Sequence, residues 1–196
     1  FYDNKLEHGE NVLKYDNLQH WCNSPVLWLS TSKSSKRFEK RVGYSYNNTY
    51  EVDIIIKILN KLNTSLVNFK GSKSVGIIAG YMAQKHLFSQ RINKNIIDNI
   101  PHCNISINTV DAFQGKEMDY IIYSVVRSNK EKKIGFLRDA RRLNVALSRA
   151  KEFLIIVGDH EMAKFAKVGV GNNPFFDVID YIENDNSCDL IRSESL

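Results

Sequence analysis

Apolar residues in this chain fall in short unbroken runs, separated by stretches with helical spacing. Ser24-Pro25 introduces VLWLS at 26–30, and SVGIIAG at 74–80, NISI at 104–107, MDYIIYSVV at 118–126 and FLIIVGD at 153–159 have the same form. Such runs, unbroken rather than alternating, predict strands buried on both faces of a sheet. Helices are predicted between them over 81–92, 139–151, 161–167 and 174–184. A further one opens at NNTYEVD: Asn48 stands three residues before Glu51, a capping-box spacing, and Val52, Ile55, Ile56, Leu59 and Leu62 then recur on one helical face. Strands alternating with helices predict an α/β fold whose mostly parallel sheet is covered on both faces. The folded domain is expected over 25–183, with a polar, irregular stretch at 1–24, a basic solvated loop at 32–41 and a flexible tail at 184–196.

Composition changes this picture little. With 43% hydrophobic and 25% charged residues the chain has the balance of a globular protein. A net charge of +5 is compatible with a nucleic-acid partner without requiring one. Cys22, Cys103 and Cys188 are odd in number and widely spaced, which predicts reduced thiols in an intracellular, cytoplasmic protein rather than a zinc site. No apolar run is long enough to span a membrane, so no membrane partner is expected. The chain starts at Phe1 rather than Met, which suggests a piece of a longer one.

Three polar clusters follow predicted strands: AGYMAQK, NTVDAFQGKE and RSNKEKKIGFLRDARR. In a parallel sheet, segments that leave the carboxyl ends of strands converge on one edge, so a single site is expected there. None of the clusters is a phosphate-binding P-loop, because Gly115-Lys116 continues with Glu117 where a Ser or Thr is needed. No Asp-Glu pair closes an apolar strand to offer a magnesium site. In the predicted helix DARRLNVALSRAK, Leu143, Ala146, Leu147 and Ala150 form one apolar stripe. Arg142 and Arg149, seven apart, then point nearly the same way beside it. Two guanidinium forks suit an anionic ligand in a cleft; salt-bridged or solvated surface arginines fit the same spacing.

TVDAFQGKEMDYIIYSVVRSN followed by GFLRDARRLNVALSRAK resembles motifs V and VI of superfamily 1 helicases, in the branch of the RNA-surveillance and Sen-type helicases. IIAGYMAQKHL resembles motif IV, and YNNTYEV the helix start that precedes it. FYDNKL resembles the segment leaving the first motor domain, so 1–24 would be a connector. The resemblance implies a second RecA-like domain that closes over ATP and Mg2+ held mainly by the first domain of the same chain. It also implies 5′-to-3′ movement on single-stranded DNA or RNA, and no ATP hydrolysis by this domain alone. Arg149 matches the arginine finger, with Arg142 as a second candidate and Gln114 linking the two ligands. Glu117 would meet the ribose, Gly115 would let the backbone pass close, and Tyr81, Gln84 and Lys85 would lie near the nucleotide. Lys85 stands where relatives often carry Arg, which loses the bidentate fork. Gly80 replaces a frequent Pro. Thr109, with Asp111 nearby, would contact the nucleic-acid backbone. Arg127 and Asn129 match the family's VRSN segment, which would orient the motif VI helix. Two rival readings are a non-catalytic helicase-like adaptor and a doubly wound enzyme for another nucleotide. The intact NVALSRAK and FQGKE weigh against the first, and the absence of a Gly-rich turn against the second.

Overall fold

The structure, a computed structural model, describes residues 24–113, 115–169 and 171–195, so the expected connector lies, but for Ser24, outside the described residues. Its strands are β1 (Val26–Ser30), β2 (Lys40–Val42), β3 (Ser45–Asn47), β4 (Lys73–Ala79), β5 (Cys103–Thr109), β6 (Met118–Ser124), β7 (Ala150–Gly158) and β8 (Cys188–Arg192). The helices are α1 (Thr49–Ser65), α2 (Met82–Arg91), α3 (Lys94–Asp98), α4 (Ala140–Leu147), α5 (His160–Lys164) and α6 (Pro174–Asn184). Six strands form one parallel sheet in the order β5-β4-β6-β7-β1-β8, and β2 and β3 make a separate antiparallel hairpin. The hairpin and α3 were not predicted. Both are too short and polar to leave a periodic signal: β2 is exposed throughout, and α3 buries no residue.

Each face of the sheet has its own core. On one, Ile55, Leu59 and Phe88 of α1 and α2 cover Val75, Ile77 and Ile122. On the other, Leu143, Ala146, Ala163 and Ile179 of α4, α5 and α6 cover Trp28, Ile78 and Ile121. Burying one such aliphatic side chain is worth roughly 1.5–3 kcal/mol, so the unbroken strand runs follow from two-sided burial. The expected flexible tail at 184–196 instead carries β8, which pairs with β1 from Val26↔Cys188 to Ser30↔Arg192. Its composition is too polar to read as a buried strand, but an edge position asks for only one apolar side. No helix of the described residues is long and apolar enough to cross a membrane. Cys103 and Cys188 are free and buried, and burial pushes the Cys103 thiol up to about 11.

The predicted capping box is half formed. The Asn48 side chain accepts from the Glu51 N–H at 3.3 Å, but the Glu51 carboxyl accepts in return from the Asn48 side-chain Nδ2 at 3.2 Å, not from the Asn48 backbone N–H. Its carboxylate reaches across to the end of β6, accepting from the Val126 N–H at 2.9 and 3.0 Å and from Ser124 Oγ at 2.6 Å. Gln84 takes the place the box would give to Glu51: its Oε1 accepts from the Asn48 N–H at 2.8 Å, and its Nε2 donates to Ser124 Oγ at 2.9 Å. All four of Asn48, Glu51, Gln84 and Ser124 are completely buried. Val126 sits at φ 70°, a conformation that costs a β-branched residue on the order of 1–2 kcal/mol. The Glu51 bonds offset that cost and hold the chain as it leaves β6.

Desolvation pushes the Glu51 carboxyl up to about 8, against the pull of the Ser124 and Val126 donors. Because the folded pKa lies above the ordinary 4.5, the contribution of this group to stability is full below about 4.5 and is lost as pH rises toward 8. The melting temperature should therefore fall more steeply between pH 5 and pH 8 in the wild type than in Glu51→Gln, which cannot titrate; equal slopes would contradict the assignment. Glu51→Ala should cost about 3 kcal/mol or more in urea unfolding, since it strands several buried donors.

Candidate functional site

Residues 110–117 have a constrained path. Register pairs Ala79 with both Thr109 and Ser124, so the carboxyl ends of β5, β4 and β6 lie level on one edge. Thr109 leaves that edge, but the next strand begins with Met118 at the opposite, amino edge. The β6 strand is on the order of 20 Å long at 3.3 Å per residue, and β4 lies between β5 and β6. The link must therefore cross the face of the sheet, and it does so through two consecutive turns, in which the Phe113 N–H donates to the Val110 carbonyl at 3.1 Å and the Lys116 N–H to the Phe113 carbonyl at 3.0 Å.

Phe113 anchors the crossing, in a short 3-10 turn at Asp111–Phe113. Its ring is buried over β4, where Gly76 leaves room for it: a Cβ on Gly76 would lie 2.9 Å from Phe113 Cε1 and 2.7 Å from Ile121 Cδ1. Gly115 then adopts φ 78° in open space, so its conformation rather than crowding calls for glycine. The link thus has an inner apolar anchor and an outer polar surface, with Asp111, Gly115, Lys116 and Glu117 exposed and Thr109 half-buried. Gln114 lies outside the described residues.

Helix α4 runs beside the link on the same face, starting from Asp139, whose carboxylate caps the Arg141 N–H at 3.0 Å. Leu143 and Ala146 are buried as the stripe predicted. The helix ends earlier than expected, however, at Leu147 with Ser148 as its cap. Arg149 and Ala150 belong instead to the entry of β7: the Met118 N–H donates to the Arg149 carbonyl at 3.0 Å. Pairing with β6 takes over the backbone, so Arg142 and Arg149 do not share one helical face. Arg142 stands in the first half of α4, 3.3 Å from Asp111. Arg149 is at the far end, next to the Glu117-Met118 step. Its Nε donates to the Val145 carbonyl at 3.0 Å and its Nη2 to Ser148 Oγ at 3.0 Å.

The expected single edge is therefore corrected to a band running down one face. Thr109, Asp111 and Arg142 are at its carboxyl end, and Glu117 and Arg149 at its amino end. The motif IV residues lie elsewhere. Gln84 is completely buried with both ends of its amide bonded, as described above. Tyr81 is also buried, between Tyr46 and Phe136 with ring centroids at 5.5 and 4.2 Å, and accepts from Arg127 Nη1 at 2.9 Å. Lys85 is half-exposed on α2, which packs on the opposite face of the sheet. Arg127 pairs with Glu39 at 3.0 Å and Asn129 donates to the same carboxylate, so the segment after Val126 is fixed by Glu39, a residue that sequence reasoning missed. A lone acid in a basic loop gives no signal of a partner some ninety residues away.

A wholly parallel sheet, helices on both faces, and a polar link with a flanking helix on one of them define a RecA-like α/β domain. Comparison with known proteins agrees. Residues 1–161 match the family model described as AAA domain. Helicase sen1 of Schizosaccharomyces pombe is 36% identical over 173 residues, 84% of this chain and 10% of its own length. Regulator of nonsense transcripts 1 of Caenorhabditis elegans is 36% identical over 165 residues, 81% of this chain and 15% of its own. ATP-dependent helicase NAM7 of Saccharomyces cerevisiae is 41% identical over 118 residues, 60% of this chain and 12% of its own. The chain belongs to this AAA-domain family, in the branch of the superfamily 1 helicases that holds sen1 and the regulators of nonsense transcripts. It spans about a tenth to a fifth of the length of the curated relatives it matches.

If Phe113 anchors the link over Gly76, then Gly76→Val should force the ring out and cost about 1–3 kcal/mol in urea unfolding. Asp111→Asn breaks only an exposed ion pair and should cost less than about 1 kcal/mol. Equal costs for the two variants would contradict this division between anchor and surface.

Proposed function

We propose that this chain is the second RecA-like motor domain of an ATP-dependent helicase or translocase acting on single-stranded DNA or RNA. The carrying observation is the crossing link, whose two ends stand at opposite edges of the sheet. Thr109 at one end suits a strand's phosphate oxygens, for which a short hydroxyl is an ordinary partner. Glu117 and Arg149, brought together at the other end, suit the ribose and phosphates of a nucleotide held by the first motor domain. Grip on the strand and nucleotide state would thus be joined through one short, anchored segment.

Arg149 is suited to act as an arginine finger. At rest its guanidinium makes neutral, partly exposed bonds to Val145 and Ser148. A phosphate oxygen carrying full charge offers a stronger, charge-assisted bond and can displace them. ATP supplies the phosphoryl group whose transfer releases the driving energy; the role of Arg149 is to stabilise charge that shifts within that group. Arg142 is the secondary cation, and its Asp111 partner would compete with any anion for it. Glu117 would orient the sugar, while Gly115 keeps the backbone clear of it. We assign Gln84 and Tyr81 to holding α2 and the 126–135 segment in place, because their polar atoms are engaged inside the protein. Lys85 is left as a charge that could reach the nucleotide only from the opposite face. Mg2+, like ATP, is assigned to the first motor domain, as the resemblance to superfamily 1 helicases implies.

In the intact helicase Arg149→Ala should lower ATP turnover by about two orders of magnitude or more, with nucleotide affinity little changed. Arg149→Lys should recover only part of the rate, since it lacks the fork. Normal turnover in a well-folded Arg149→Ala protein would remove the finger assignment. Thr109→Val should weaken single-strand binding without lowering the melting temperature by more than a few degrees; unchanged binding would exclude Thr109 from the strand's path.

A further inference from the structure

Beyond Thr109 the face continues into a larger depression that the motif assignments do not account for. A shallow pocket at Thr109, Asp111 and Arg142 shares Phe136, Asp139 and Arg142 with a groove of about 720 Å³. Lys133, Arg138 and Lys167 line that groove further on, with Val168 and Gly169 as part of its floor. Asp139 is the only acid in the lining, and its carboxylate already caps α4. Among the described residues Lys133, Arg138 and Lys167 form no ion pair, so their charge is not neutralised within the fold. Phe136 is 41% exposed at the rim, where its ring lines both the groove and the shallow pocket. Its ring packs at a 50° tilt against the buried Tyr81, 4.2 Å between centroids, and the Tyr81 hydroxyl is held by Arg127 and the Ile134 carbonyl, so the Phe136 ring rests on a fixed support. The backbone bond from the Lys167 N–H to the Lys132 carbonyl at 2.7 Å keeps the two lysine-bearing segments side by side.

Unpaired cations along a groove with a rigid aromatic at its mouth have the chemistry of single-strand recognition: cations track phosphates, and a flat ring stacks a base regardless of its identity. We propose that the groove is a nucleotide subsite that extends the strand's path past Thr109, with Phe136 stacking a base and Lys133, Arg138 and Lys167 contacting the following phosphates. An acidic protein segment would use the same cations but gains little from a stacking face. This inference rests on the strand-binding reading of Thr109 but adds residues given no role there: Phe136 and Arg138 at the start of the motif VI stretch, and Lys133 and Lys167 outside it.

The test is binding of a fluorescent fifteen-nucleotide oligo(dT) and oligo(U) to the intact helicase across a salt series. Phe136→Leu keeps an apolar side chain on Tyr81 but removes the stacking face, and should weaken binding at least about fivefold. Lys133→Gln with Lys167→Gln should lower the slope of log affinity against log salt by about 1.4, since each phosphate left without its cation removes about 0.7. The lysine pair is on the surface, so that arm stands even if Phe136→Leu lowers stability. If Thr109→Val weakens binding while the groove variants bind like wild type with an unchanged slope, the subsite is wrong and the strand-binding reading survives. If none of the three changes binding, both fall. Loss of oligo-glutamate binding in the groove variants, with oligonucleotide binding intact, would assign the groove to an acidic protein and overturn the proposal.

Discussion

Strands β5 and β6 are parallel but not neighbours, and that constraint organises the candidate site. A chain leaving the carboxyl edge at Thr109 must re-enter at the amino edge at Met118, passing over β4. Eight residues reach about 30 Å when extended, more than the roughly 22 Å between the two ends, and the excess is folded into two turns closed by the Val110 and Phe113 carbonyls, with Phe113 pinning the strap where Gly76 gives it room. Polar residues then face outward because the inner side is occupied by the core. The crowding of Asp, Gly, Lys and Glu in this stretch follows from the geometry: among the described residues Asp111, Gly115, Lys116 and Glu117 are exposed, and the strap touches both edges of the sheet.

The segment that leaves β6 is held as firmly by different means. Glu51 spans from α1 to the Val126 N–H, while Glu39 gathers Arg127, Asn129 and the Ser128 N–H. Together they fix the route that leads to Phe136 and the start of α4. Burial favours the neutral, protonated form of the Glu51 carboxyl, against the pull of its donors. What it secures is position: Val126 in a disfavoured conformation, and beyond it the helix that ends next to Arg149.

Most of the architecture could be read from the chain. Unbroken apolar runs identified β1, β4, β6 and β7, because two-sided burial leaves no alternation to misread, while the edge strand β5 was legible from the two isoleucines of NISI. The last predicted helix matches α6 residue for residue. The reading failed where a local rule met a tertiary competitor. Asn48 and Glu51 look like a closed capping box, yet the Glu51 side chain is drawn across the domain to Val126. The 139–151 periodicity looks like one helix, yet strand pairing with β6 claims Arg149 and Ala150. Edge strand β8 was hidden because polar residues suffice on its outer side. Motif identity placed Tyr81 and Gln84 near a ligand, whereas the fold engages both in internal bonds. Sequence resemblance records which residues recur, and both a ligand contact and a buried strut recur.

The central claim is mechanical: a short strap, anchored by Phe113, is proposed to join strand contact at Thr109 to nucleotide contact at Glu117 and Arg149. If so, each ligand should change the other's affinity by the same factor, since coupling is reciprocal. The most direct measurement is that factor, in the intact helicase with two glycines inserted between Gly115 and Lys116. Single-strand affinity is read with and without a non-hydrolysable ATP analogue, beside the wild type. The account predicts that each ligand still binds alone nearly as in the wild type, while the coupling factor collapses toward one. A coupling factor unchanged by the insertion would contradict it.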